Sequence, residues 1–136
     1  MPHPFANSIA QSLAELTALR RDLHAHPELL FDLPRTAGIV ADRLRSYGFD
    51  DVIEGIAKTG VVGVLHGKTG PAQNMQGRVL FRADMDALPI EETTGAAHRS
   101  TIQGAMHACG HDGHTTMLLG AAKYLAETRD FEGTLI

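Results

Sequence analysis

Residues 78–89 read RVLFRADMDALP. Val79, Leu80 and Phe81 give Arg78–Arg82 a continuous apolar centre, the pattern of a strand covered on both faces. Two carboxylates two residues apart, Asp84 and Asp86, follow that strand directly. In open α/β sheets ligands gather just past the carboxyl ends of the strands, so this junction is a candidate site as well as a structural one. Asp is also common in turns, and either aspartate alone would be read that way.

Working outward, the neighbouring segments supply the rest of the fold. From Ser8 to about His24 the residues Ile9, Leu13, Leu16, Leu19 and Leu23 recur every three or four positions, one face of a helix that Asn7 or Ser8 could cap. A second helix is expected from Pro34, with Ile39, Val40, Leu44 and Tyr47 buried and Gly48 ending it. Strands are expected at Asp51–Ile56 and Val61–Leu65, then a loop over Lys68–Gly77. Beyond RVLFR, residues 84–110 have no periodicity, and irregular stretches of that length in compact domains are usually functional. A third helix is expected near Asp112, burying Met117, Leu118, Ala121, Ala122 and Leu125; Thr134-Leu135-Ile136 reads as a strand just begun. The order ααβββαβ predicts an α/β fold, a mixed sheet flanked by helices.

The chain has 136 residues, 43% of them hydrophobic and 21% charged, the balance of one globular domain rather than a disordered segment. The net charge is −4 and no Lys/Arg run forms a phosphate-tracking stripe, which argues against a nucleic-acid partner. No apolar stretch is long enough to span a bilayer, and Met1–Ser8 lacks a basic region followed by an apolar one, so neither a membrane partner nor a secretory leader is expected. Cys109 is the only cysteine, which fits a reducing, cytoplasmic setting.

The densest chemistry is in residues 106–115, MHACGHDGHT. His107, Cys109, His111, Asp112 and His114 offer the thiolate, imidazole and carboxylate groups that borderline divalent metals prefer. In extended backbone Cys109 and His111 project to the same side, and Gly110 lets both approach one ion at about 2.3 Å for sulfur and about 2.0 Å for nitrogen. The alternative is a buried cysteine beside unrelated loop histidines. His107 and His114 are possible metal or substrate contacts. Asp86 and Asp84 could each approach a metal or hold a ligand histidine by its second N–H. His24 and His26, at a helix exit marked by Pro27, read as structural or rim residues, and Glu91-Glu92 as solvated loop residues.

Taken together, LRRDLHAHPE at 19–28, TGVVGVL at 59–65, RADMDALPIEE at 82–92 and MHACGHDGHTTMLLGAA at 106–122 resemble the M20 metallopeptidase family. The closest likeness is to its amidohydrolase branch: hippurate hydrolases, N-acyl-amino-acid deacylases and plant auxin-conjugate hydrolases. The resemblance implies that residues 1–136 are the N-terminal portion of a zinc-peptidase-like catalytic domain, without the smaller lid domain. It implies a site with two divalent ions (Zn, Mn, Co or Ni), Cys109 and His111 as ligands and Asp86 as the catalytic aspartate. Asp84 stands where the wider family has a metal-binding histidine, as it does in the amidohydrolase branch. Phe31-Asp32-Leu33-Pro34 departs from the acidic residues usual there. The strand begun at Thr134 leads, in the family, into a Gln-Pro-Ala-Glu-Glu-like motif holding the general base and a ligand, and no such motif is present.

The implied activity is hydrolysis of the amide of an N-acyl amino acid or similar small conjugate, with this stretch inactive alone and possible self-association through an open sheet edge. Two rivals remain: a non-catalytic metal-binding or interaction remnant, and a Cys109 nucleophile with His111 as base.

Overall fold

The computed structural model describes residues 4–136; Met1, Pro2 and His3, part of the stretch read for a leader, lie outside the described residues. The observed order is α1 (Pro4–Ala25), α2 (Pro34–Ser46), β1 (Asp51–Ile56), β2 (Gly60–His66), β3 (Arg78–Val79), α3 (His111–Thr128) and β4 (Thr134–Leu135). The α/β class is as expected. Helix α1 starts ahead of Asn7 and Ser8, so neither caps it, and its buried stripe narrows to Leu16, Leu19 and Leu23, with Leu13 left exposed. Helix α2 begins at Pro34 after Leu33, which has no side-chain oxygen to cap it. The Glu28 carboxylate takes that role, accepting from the Arg35 and Thr36 amides at 3.0 and 2.8 Å and placing negative charge at the positive helix end.

The sheet order is β1-β2-β4-β3. β1 and β2 form an antiparallel hairpin, β4 pairs antiparallel with β2 through Leu65 and Leu135, and β3 pairs parallel with β4 through Val79 and Leu135. The helices and one sheet face share a core of Leu19, Leu23, Val40, Leu44, Leu119 and Ala122, with Phe49, Val61 and Met85 packed against it.

Two expectations are corrected. The RVLFR strand is short and exposed: β3 ends at Val79, and Leu80 and Phe81 are 68% and 49% accessible. Its only neighbour among the described residues is β4, so one edge and much of its surface stay open. Helix α3 is rotated from the expected face. Its buried residues include Asp112, Thr115, Thr116, Leu119, Gly120 and Ala122, while Met117 is exposed. The rotation follows from the α1–α3 crossing, where a Cβ on Gly120 would lie 2.9 Å from Leu16 Cδ1. Buried threonines disguised that face. Thr116 donates to the Asp112 carbonyl at 2.7 Å and Thr115 to the Asp84 carbonyl at 3.1 Å. Leu118, Ala121 and Leu125 instead line an apolar groove of about 340 Å³ between α3 and the sheet.

Residues 84–110 are irregular, as expected, yet well tethered. Leu88 and Met106 exchange backbone hydrogen bonds at 2.9 and 3.0 Å, the Ala87 amide donates to the Glu28 carbonyl, and Thr101 donates to the Ala25 carbonyl through both its amide and its hydroxyl.

Candidate metal centre

The irregular segment ends at Gly110, whose φ of +95° turns the chain into α3. That turn places His111 in the first helical position and leaves Cys109 just outside it, exposed. His111 Nδ1 lies 3.0 Å from Asp86 Oδ1 and 2.8 Å from the Asp86 carbonyl oxygen. Both are acceptors, so Nδ1 carries the proton and Nε2 keeps its lone pair. Nε2 has no hydrogen-bond partner among the described residues. A carboxylate holding one ring nitrogen while the other is open is the arrangement in which imidazole meets a metal ion.

The remaining sequence candidates are placed differently. The Asp84 carboxylate pairs with Arg82 at 2.5 Å, while its carbonyl anchors Thr115. His114 is exposed on α3, its ring centroid 5.6 Å from that of His111. His107 is only 4% accessible, and neither ring nitrogen has a hydrogen-bond partner among the described residues. Burial pushes its pKa down, since a charged ring there would lose its hydration. Among the described residues no group of three or more His, Cys, Asp and Glu side chains is placed to hold a metal ion. Among the described residues Cys109 makes no hydrogen bond to a histidine.

A second polar cluster lies behind this turn. His24 is buried on α1, with Nδ1 2.7 Å from Asp112 Oδ2 and Nε2 3.3 Å from the Glu92 carboxylate. Arg20, one turn earlier, brings its Nε to 3.0 Å from the same Asp112 oxygen and its Nη1 to 3.1 Å from His98 Nε2. The Glu92 side chain is 2% accessible, which corrects its reading as a solvated loop residue. It accepts from the Ser100 amide at 2.6 Å and the Thr94 hydroxyl at 2.5 Å, and these bonds hold its carboxyl down to about 2. Glu91 does remain exposed, accepting from the Gly104 amide. Sequence reasoning missed the cluster because Asp112 reads as one more candidate ligand in MHACGHDGHT. The available signal was Arg20 and His24 four apart on one helix face, both turned toward a buried acid.

Residues 80–136 match the family model described as Peptidase family M20/M25/M40. A hippurate hydrolase of Campylobacter jejuni is 50% identical over 121 residues, covering 89% of this chain and 30% of the relative. An N-acyl-L-amino acid amidohydrolase of Geobacillus stearothermophilus is 47% identical over 117 residues, covering 85% of this chain and 30% of the relative. The Bacillus subtilis YXEP protein, described as a dinuclear metal binding peptidase from the M20 family, superposes with a TM-score of 0.82 at 35% identity, over 93% of this chain and 34% of that one. Residues 80–136 thus match the M20 family model itself, and the chain is similar to M20 proteins over most of its own length. It spans about a third of the length of the M20 relatives it matches.

An M20 metal pair fits this turn in kind. A solvent-facing thiol and an imidazole with a free, carboxylate-backed nitrogen are what a borderline ion binds. The fit is partial in number, because such ions take about four ligands and this turn offers two.

Proposed function

We propose that residues 1–136 are the N-terminal portion of the catalytic domain of a metal-dependent amidohydrolase that cleaves the amide of N-acyl amino acids or similar small conjugates. The observation carrying this reading is the His111–Asp86 pair beside exposed Cys109, within the stretch matched by the M20 model. The names of the Campylobacter and Geobacillus relatives support the substrate class, and that of the Bacillus structure supports two metal ions.

In this reading Cys109 and His111 are ligands, and Asp86 fixes the His111 ring and raises its basicity. Two divalent ions, of Zn, Mn, Co or Ni, would polarise the scissile carbonyl and lower the pKa of a water toward neutrality. Removing that water's proton needs a base whose pKa lies near the working pH. Among the described residues Glu92 is the one glutamate lining the cavity of about 380 Å³ beside Cys109, and its carboxyl sits near 2, so it is too weak a base. The donor shortfall and the missing base support a second statement: these residues alone do not turn substrate over. A non-catalytic metal-binding or interaction remnant is the second reading, favoured by the missing base. A single cysteine suits a cytoplasmic setting, and the substrate is a small molecule rather than nucleic acid or a membrane.

The test is amino-acid release from N-acetyl and N-benzoyl amino acids after loading with zinc, manganese or cobalt. A polypeptide of the relatives' length carrying these residues should be active and lose activity with Cys109→Ala. The 136 residues alone should be inactive. Turnover by them near that of a full-length relative, lost with Cys109→Ala, would overturn the division of labour.

A further inference from the structure

Asp112 follows His111 directly, so whatever holds the Asp112 carboxylate holds the first turn of α3 and the ligand that turn carries. Its Oδ2 is held by two groups of α1, His24 Nδ1 at 2.7 Å and Arg20 Nε at 3.0 Å. The other side of the His24 ring faces Glu92 at 3.3 Å, and Glu92 in turn gathers Thr94 and Ser100 of the irregular segment. One buried ring therefore joins α1, the 84–110 segment and the start of α3, elements 68 and 88 residues away in sequence. Both His24 ring nitrogens face carboxylate oxygens, Nδ1 at 2.7 Å from Asp112 and Nε2 at 3.3 Å from Glu92, so the ring bridges the two acids. The remaining titratable or charged neighbours are Arg20 on its own helix, His98 edge-on at 5.4 Å and His107 at 6.3 Å between ring centroids.

We propose that His24 is a positioning residue: its ring, clamped between Asp112 and Glu92, fixes the segment that presents Cys109 and His111. Its consequence for metal capture rests on the ligand reading of Cys109 and His111; the clamp itself does not. Removing one partner of a buried hydrogen bond to a carboxylate leaves the other polar group unsatisfied, so the local effect is large. The loosening is confined to the elements the ring joins, because β1, β2 and the α2 face of the core make none of these bonds.

The experiment uses the whole 136-residue chain and its variants His24→Gln, Glu92→Gln and Asp112→Asn. Residue-resolved amide exchange in His24→Gln should speed up about tenfold or more over residues 92–101 and 106–114, with the β1–β2 hairpin unchanged. Glu92→Gln, a milder change, should speed up the first region more than the second. Uniform acceleration across the sheet, or none at the loop, would overturn the proposal. The unmutated chain gives a check that needs no variant to fold. A nitrogen-15 spectrum should show a hydrogen-bonded proton on His24 Nδ1, the nitrogen 2.7 Å from Asp112, and a bare Nδ1 would remove that end of the clamp. Cobalt titration, followed by the thiolate-to-cobalt absorption of Cys109, should show about 10- to 100-fold weaker binding in His24→Gln. Unchanged cobalt affinity in that variant would overturn the positioning role. Absence of the band in the unmutated chain would instead defeat the ligand reading, leaving the exchange and nitrogen-15 arms to decide the clamp.

Discussion

His111 turns its Nδ1 to Asp86, 3.0 Å from the carboxylate and 2.8 Å from the same residue's carbonyl, although 25 residues separate them. The pair sets the tautomer and aims Nε2 outward. Asp86→Ala should therefore weaken zinc binding about 10- to 100-fold while leaving the far-ultraviolet circular dichroism unchanged. Competition with a chromogenic chelator measures it. Equal affinity in the variant would show that Asp86 does not support the His111 ring.

The Glu92 carboxyl predicts a pH dependence with a definite sign. Its folded value, about 2, lies below the ordinary 4.5, chiefly because the Ser100 amide and the Thr94 hydroxyl bind its charged form. A depressed carboxylate stabilises the fold fully above the unfolded value and loses that contribution as pH falls through the folded one. Urea unfolding of the chain and of Glu92→Gln should differ by about 2 kcal/mol at pH 6, since hydrogen bonds to a charged group are worth roughly 1.5–3 kcal/mol. The gap should narrow between pH 4.5 and 2. A gap that widens on acidification would contradict the assignment.

The return from α3 to the sheet depends on Gly133. Its φ is +87°, and a Cβ there would lie 2.2 Å from the Gly77 carbonyl oxygen. Gly133→Ala combines left-handed strain with a backbone clash and should destabilise the chain by at least about 1–3 kcal/mol. Gly113→Ala, where a Cβ meets nothing within 4 Å, is the control expected to fall within about 0.5 kcal/mol. Thermal unfolding of the two separates them.

The open edge of β3 predicts self-association. Val79, Leu80 and Phe81 are all about half or more exposed beside unpaired backbone. Such edges template pairing with another chain. Light scattering behind size exclusion should show a concentration-dependent mass that Phe81→Lys lowers. A monomer at every concentration would contradict this.

The helices, the β1–β2 hairpin and the irregular course of residues 84–110 were legible because local rules govern them: apolar period, proline at a helix start, glycine at turns. Three features were not. The RVLFR run looks doubly covered because continuous apolar residues report the covering a strand needs, whereas β3 has β4 alone beside it. The α3 face was misjudged because Thr115 and Thr116 are buried with their hydroxyls satisfied, which hydrophobicity cannot register. Glu92 read as a solvated loop residue and His24 only as a structural or rim residue, because the cluster with Asp112 exists only once α1 and α3 cross. Asp86 and Cys109-Gly110-His111 stood out in the sequence as candidates from ligand chemistry, and the structure brings Asp86 against His111. Asp86 backing the His111 ring was one of two options open, and the tertiary contact selects it.

In the proposed reading Cys109 and His111 capture the same divalent ion or one metal pair. Cobalt titration of the chain reads it directly, because a thiolate bound to cobalt absorbs in the near ultraviolet and an imidazole alone does not. The unmutated chain should develop this band. Cys109→Ser should abolish it and His111→Ala should weaken the binding that produces it by about 10-fold or more. An unmutated chain that takes up cobalt without the thiolate band, or a band indifferent to His111→Ala, would contradict the claim.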